Sequence, residues 1–227
     1  MRRCAVLALP VVLAASSLTG CGLFDGSSSL EEALETLPAG VTRVTFDERS
    51  SAVGPAVEWE VVAVDGDRTG RVQKLTEDVD LDDLDDDLTL VRGERLVVSG
   101  ALTDEILEAV DDDIDSLIDD ESFQDLVDST DDVEYAVLAR SGAVCGIGDP
   151  PVTPRQAGVF VHGDDPTATL VLLMESGDDA DELAEAAESN DVDVEVDDEQ
   201  VRADLGSDDD VDRVLGEASY PGICSLL

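Results

Sequence analysis

The apolar positions of this chain fall into short blocks whose spacing alternates between the periods of helix and strand. In "SLEEALETLPAG" (29–40), Leu30, Ala33, Leu34 and Leu37 share one helical face. A Ser cap and two first-turn acids open the run, and Pro38 stops it. "VTRVTF" (41–46) and "VEWEVVAV" (57–64) are rich in β-branched and aromatic residues and predict strands, the second ending at the turn signal Asp65-Gly66. "LTLVRGERLVVS" (88–99) predicts a hairpin turning near Gly93. "TDEILEAV" offers Thr103 as N-cap, Asp104 and Glu105 to complement the helix dipole, and Ile106, Leu107 and Val110 on a common face. A short helix over 122–127 buries Phe123 and Leu126. Strands follow at 133–139, 158–162 and 169–174. "DDADELAEAAESN" (178–190) is a helix with Ala180, Leu183, Ala184 and Ala187 inward and Asn190 as C-cap, and "VDVEV" (192–196) alternates as a half-exposed strand. The pattern predicts an α+β protein with mostly antiparallel sheets.

An internal comparison suggests how these elements are grouped. A shift of 77 residues lays "SGALTDEILEAV" (99–110) over "SGDDADELAEAA" (176–187), with six of twelve columns identical. In both copies an apolar strand runs into Ser-Gly and then a helix opening with Asp-Glu. This reads as a degenerate tandem repeat and divides the body near Asp132 into two small sheet-and-helix units, 30–132 and 133–227.

The start of the chain has a different pattern. Arg2 and Arg3 precede an apolar run from 5 to 15 broken only by Pro10, with no acid in the first twenty positions. Positive start, short apolar middle and small-residue exit make residues 1–20 a secretory signal peptide. The run is too short for the roughly 20 apolar residues that a membrane span needs. Its exit, Leu18-Thr19-Gly20-Cys21, resembles the lipobox of bacterial lipoproteins. The resemblance implies that the Cys21 thiol carries a diacylglyceryl group and becomes the mature first residue. At about 0.8 kcal/mol per buried methylene, two acyl chains hold a protein permanently. Residues 21–29 then form a lipidated tether, rich in Gly and Ser, that lifts the body from the cell membrane on its extracytoplasmic side. The body, with its "LPAG" helix exit before a strand, its "RLVVSG" strand before a helix and its "SLIDDESFQDLV" segment before the next strand, resembles the uncharacterised secreted α+β lipoproteins of high-GC Gram-positive bacteria. That likeness implies tandem α+β units and supplies no active site.

Charge narrows the partners. Removing residues 1–20 takes away Arg2 and Arg3 and no acid, leaving 11 basic against 56 acidic side chains, a formal charge of −45. Such an excess argues against nucleic acid and anionic lipid surfaces, both of which select for Lys and Arg clusters. A basic protein segment or cations remain suitable partners. Lys74 is the only lysine. High net charge with few aromatics is also the signature of disorder, but 43% hydrophobic content in periodic blocks marks a folded body. Of four cysteines, Cys4 leaves with the signal and Cys21 is lipidated. Cys145 and Cys224 would sit outside the cytoplasm, where disulfides persist, and are expected to pair. Closing a loop of about 80 residues constrains the unfolded chain by roughly 4 to 5 kcal/mol.

No catalytic or cofactor chemistry is legible. "EDVDLDDLDDD" (77–87) places Asp78, Asp80 and Asp82 at the first three calcium-loop positions, but the required glycine is Asp83 and the required glutamate is Thr89. Asp111, Asp113 and Asp115 fail likewise, with Ser116 and Ser122 at the deciding positions. His162, the one histidine, lies near Asp164 and Asp165 without a nucleophile turn such as GxSxG, and reads as a solvent-facing strand end. "CGIGDPP" (145–151) puts Pro151 where a dinucleotide fingerprint needs its third glycine. Trp59 alternates with Val57 and Val61 and is expected in the core. The sequence therefore points to a noncatalytic binding or scaffolding protein of the envelope, with no cofactor and no metal site. An envelope hydrolase with a scattered site and a divalent-cation-binding surface protein are the alternatives.

Overall fold

The computed structural model describes residues 28–48, 57–76, 88–91, 95–128, 130, 133–140, 152–163, 167–188 and 193–207. Along the chain these form α1 (Ser29–Glu35), β1 (Arg43–Asp47), β2 (Val57–Asp65), β3 (Arg68–Leu75), β4 (Thr89–Val91), β5 (Leu96–Gly100) and α2 (Thr103–Val110). A 3-10 turn (Leu117–Asp119) leads into α3 (Glu121–Asp128), β6 (Val133–Arg140), β7 (Gln156–His162), β8 (Thr167–Leu173), α4 (Gly177–Glu188), β9 (Glu195–Asp197) and β10 (Gln200–Ser207). The α+β class is as the sequence pattern predicts. All the strands join one antiparallel sheet in the order β4-β5-β3-β2-β1-β6-β7-β8-β10-β9.

This order has an internal two-fold of connectivity. β1 and β6 lie side by side at the centre, and each starts a three-stranded meander running outward, β1-β2-β3 on one side and β6-β7-β8 on the other. In each half the chain then jumps to the edge (β4 or β9) and returns through the gap as β5 or β10. The halves β1–β5 and β6–β10 meet between β1 and β6 and share one sheet instead of each folding round its own. The repeat does not follow the 77-residue overlay. That overlay equates β5-α2 with β8-α4, whereas the strand corresponding to β8 is β3. The paired helices also cover opposite faces, because Ile106 of α2 and Leu183 of α4 belong to different cores.

Alternation along the strands explains the two cores. Val44, Phe46, Trp59, Val61, Val72, Val98, Ala136, Leu138 and Phe160 point to the face covered by α1, α2 and α3. Val137, Ala139, Val159, Val161, Leu170, Leu172 and Val201 point to the other, where α4 packs through Ala180 and Leu183. Trp59 is fully buried, as its alternation predicts.

Two strands escape the sequence pattern, β3 and β10. "RTGRVQKL" buries few apolar side chains because Gly70 lies directly beneath α2: a Cβ there would stand 2.6 Å from Ile106 Cδ1 and 2.8 Å from Leu102 Cβ. The helix caps also differ from expectation. The cap of α1 is Ser28, whose Oγ accepts from Glu31 N (3.2 Å) while its own N–H donates to Glu31 Oε2 (2.7 Å). Both Ser28 and Ser29 have a Glu three residues on, but Glu32 is engaged by Lys74 and Trp59 and the Ser29 hydroxyl donates to Glu48 Oε1 (3.0 Å), so the capping box closes on Ser28 and Glu31. Thr103 is the first residue of α2, and its hydroxyl donates to Gly100 O (2.7 Å) instead of capping forward. Of the 192–196 segment, Glu195 and Val196 enter the short edge strand β9, whose three residues are exposed, while Val194 just before it is half-buried against the core under α4.

The exit of α1 is held firmly. Leu117 N donates to Leu37 O (2.7 Å) and Ala39 N to Asp115 O (3.0 Å), tying it to the segment after α2. Arg140, at the end of β6, donates to the carbonyls of Val41 (3.0 Å) and Ala39 (2.7 Å) and to Asp120 Oδ2 (2.8 Å), with its guanidinium 5.1 Å from the Phe123 ring centroid. These contacts fix α1 against the end of α2.

Candidate functional site

Between the C-terminal ends of α1 and α2 lies a cleft of about 470 Å³, lined by Glu32, Glu35, Thr36, Lys74, Leu96, Ala109, Val110 and Asp112. Beneath it runs a row across three strands, Trp59 on β2, Lys74 on β3 and Leu96 on β5, set by the registers Trp59↔Lys74 and Lys74↔Leu96; Lys74 and Leu96 line the cleft and Trp59 is buried beside them. Glu32 on α1 accepts from Trp59 Nε1 (3.3 Å) and forms an ion pair with Lys74. Lys74 is the chain's only lysine. Leu96, Ala109 and Val110 add apolar surface, so the cleft combines a greasy wall with a few convergent charges, as small-ligand sites do.

Its electrostatics are unbalanced. Glu35 is the last residue of α1, and Asp112 follows the Asp111 cap of α2; neither helix has a basic residue in its last turn. Both carboxylates therefore stand at negative helix ends, where a cation would be favourable. Asp112 also adopts a left-handed backbone (φ 57°), a position usually taken by glycine. Partial burial, then the neighbouring charges of Glu32, Glu31, Asp112 and Asp119, raise the Glu35 pKa above the ordinary 4.5.

A carboxyl whose folded pKa is raised holds its proton more tightly in the folded chain than in the unfolded one. Glu35 therefore lowers stability as pH rises from its ordinary value through its raised folded value, and the full penalty applies above that window. Glu35→Gln should be more stable than the parent at neutral pH. The gain should vanish below the ordinary carboxylate range, as read by urea denaturation at both pH values.

The connectivity two-fold gives this cleft a counterpart. The row Trp59–Lys74–Leu96 corresponds to Gln156–Leu173–Gln200 on β7, β8 and β10, set by the registers Gln156↔Leu173 and Leu173↔Gln200. There a shallower cleft of about 260 Å³ is lined by Asp125 of α3, Arg155, Leu173, Asp197, Glu199 and Gln200. The Arg155 guanidinium sits between Asp125 Oδ2 (3.8 Å) and Glu199 Oε2 (3.6 Å). Each cleft thus holds three carboxylates and one basic side chain.

Of the residues singled out from sequence, Cys21, Cys145 and Cys224, the acidic run 77–87, Asp164, Asp165 and the 145–151 loop lie outside the described residues. Asp111, Asp113 and Asp115 are exposed beyond α2, and Asp113 N donates to Glu108 O (2.8 Å) to close the helix end. His162 is the last residue of β7, opposite Val133, and is half-buried. Among the described residues, no three His, Cys, Asp or Glu side chains are placed to hold a metal ion, and no helix is long and apolar enough to cross a membrane. In the sequence Lys74 stands out only as the sole lysine, and Glu32, Glu35 and Asp112 carry no motif that marks them as its neighbours. The available signal was two helices ending in acids where bases are favoured.

No family model matches the chain, and no curated protein matches it. The chain is similar in fold to two crystal forms of the protein TP0453. Form I shares 7% identity at a TM-score of 0.43, over 75% of this chain and 90% of that one. Form III shares 8% identity at a TM-score of 0.42, over 75% and 91%.

Proposed function

We propose that this is a lipid-anchored protein of the cell envelope, facing the extracytoplasmic side, that works by binding and not by catalysis. The observation that carries the reading is the start of the chain: Arg2-Arg3, the short apolar run and the Leu18-Thr19-Gly20-Cys21 exit. Cys21 is the acylated residue, and Cys145 and Cys224 form the disulfide of the mature protein. The α1–α2 cleft supports a binding role through its size and mixed lining. Its place supports it too. Seven residues separate Cys21 from the first residue of α1; fully extended at about 3.5 Å each, they keep the start of α1 within roughly 25 to 30 Å of the anchor. A cleft beside α1 is thereby offered to partners at the membrane surface. The acidic surface favours a basic protein segment or cations and disfavours nucleic acid.

Anchoring is tested by Cys21→Ser in the native cells. The variant should leave the membrane fraction almost completely, since no second lipid signal is assigned. Fractionation identical to the parent would overturn the assignment.

A further inference from the structure

We propose that residues 211–218, which follow β10 and lie outside the described residues, dock on the sheet face that carries α3, over β8 and β10, as α2 packs over β3 and β5. The connectivity two-fold supplies the place. It matches the pair Lys74–Leu96 with Leu173–Gln200, and four residues along each strand it matches Gly70–Gly100 with Thr169–Asp204. Gly70 is the point where α2 meets the sheet, through Leu102 and Ile106. Thr169 stands at the equivalent point in the other half and is 2% exposed, with Phe160 opposite it in the register. Thr169 carries a side chain where Gly70 has none, so Leu215 rides over it at a greater height than Ile106 over Gly70.

The chain after β10 has the matching apolar pattern. α2 and its cap bury Leu102, Ile106 and Ala109, at i, i+4 and i+7. The same spacing recurs in Val211, Leu215 and Ala218, in the same place in the topology, just beyond the strand that returns through the gap. β10 ends at Ser207, and residues 208–210 supply about 10 Å of extended chain, enough to turn back over the strand end. Eight helical residues then cover about 12 Å, the length of α2. Because it is tethered directly to β10, this segment has a high effective concentration at the face and prevails over a separate occupant. Docking also completes the second cleft. Ala109 and Val110 line the first cleft, so Ala218 and Ser219 take their place beside Asp125, Leu173 and Gln200 and wall the shallow one.

The test is made on the full mature protein in detergent. A diazirine analogue of leucine, close in shape to the side chain it replaces, is placed at Leu215 and photolysed. Side chains alternate between faces along a strand, so fragmentation should place the crosslinks on Thr169, Val171, Arg202 or α3. Crosslinks on Leu170, Leu172, Val201 or α4, which belong to the opposite face, would overturn the proposal, as would none within the chain. Leu215→Asp and the milder Leu215→Ala are then followed by amide hydrogen exchange. Exchange across β10 and at Val171 should rise at least about tenfold in Leu215→Asp and by less in Leu215→Ala, while β4 and β5 stay as in the parent. If Leu215→Asp does not fold, Leu215→Ala carries the comparison. Unchanged exchange across β10 in every folded variant would overturn the proposal. Neither measurement touches the anchoring claim, which Cys21→Ser decides separately.

Discussion

Phe123→Ala is expected to cost about 3 to 5 kcal/mol of folding free energy, the range for emptying a buried aromatic site. Phe123 is fully buried, and with Leu126 it carries α3 on the sheet face formed by Phe160, Val171 and Leu173. The truncation removes the side chain from that core and also the ring over which Arg140 lies. Because Arg140 bonds the carbonyls of Ala39 and Val41 as well, the loss should spread toward the exit of α1 and loosen the cleft. For a body of this size the melting temperature should fall by roughly 6 to 20 °C. A loss below about 1 kcal/mol by urea denaturation would mean that α3 does not pack where it is placed.

Among the described glycines, Gly100→Val should be the most damaging single change. Gly100 turns the chain from β5 toward α2 with φ at 99°, and a Cβ there would stand 2.4 Å from the carbonyl oxygen of Thr69. That oxygen is already the acceptor for Ala101 N (2.7 Å). The backbone conformation alone costs a β-branched residue more than about 1 kcal/mol, and the clash is with main chain that cannot rotate aside. Separation of β3 from β5 is the expected consequence, read as hydrogen exchange at Val72 and Val98 rising toward that of exposed positions. Gly40→Ala, where an added Cβ meets nothing within 4 Å, is the control and should stay within about 0.5 kcal/mol. Equal stability of the two variants would refute the turn.

Legibility in the sequence followed how each element buries its side chains. Helices α1, α3 and α4 and the strands β2, β6, β7 and β8 have dense apolar patterns because each packs a whole face or stripe into a core. β3 was hidden because its contact with α2 requires the absence of a side chain at Gly70, and an absence leaves no hydrophobic signal. β10 carries a period-two signal in "VRADL", Val201 and Ala203 buried beneath α4, but its interleaved charges resemble the acidic loops elsewhere. The two-fold was misplaced for a related reason. Asp, Glu and Ala enrichment aligns any two helices of this chain, whereas the true correspondence lies in register, with Lys74–Leu96 matching Leu173–Gln200 and no side chain in common. The cleft was illegible because Glu35, Lys74 and Asp112 come from three elements far apart in sequence and are gathered only when α1 is tied to the segment after α2.

Acylation of Cys21 is decided by the mass of the mature N-terminal peptide, taken from protein purified out of its own cells. The peptide should begin at Cys21 and exceed the mass of the bare sequence by a diacylglyceryl group, with or without a further acyl chain on the amine. A peptide that still contains residues 1–20, or one that starts at Cys21 or elsewhere with an unmodified thiol, would contradict it.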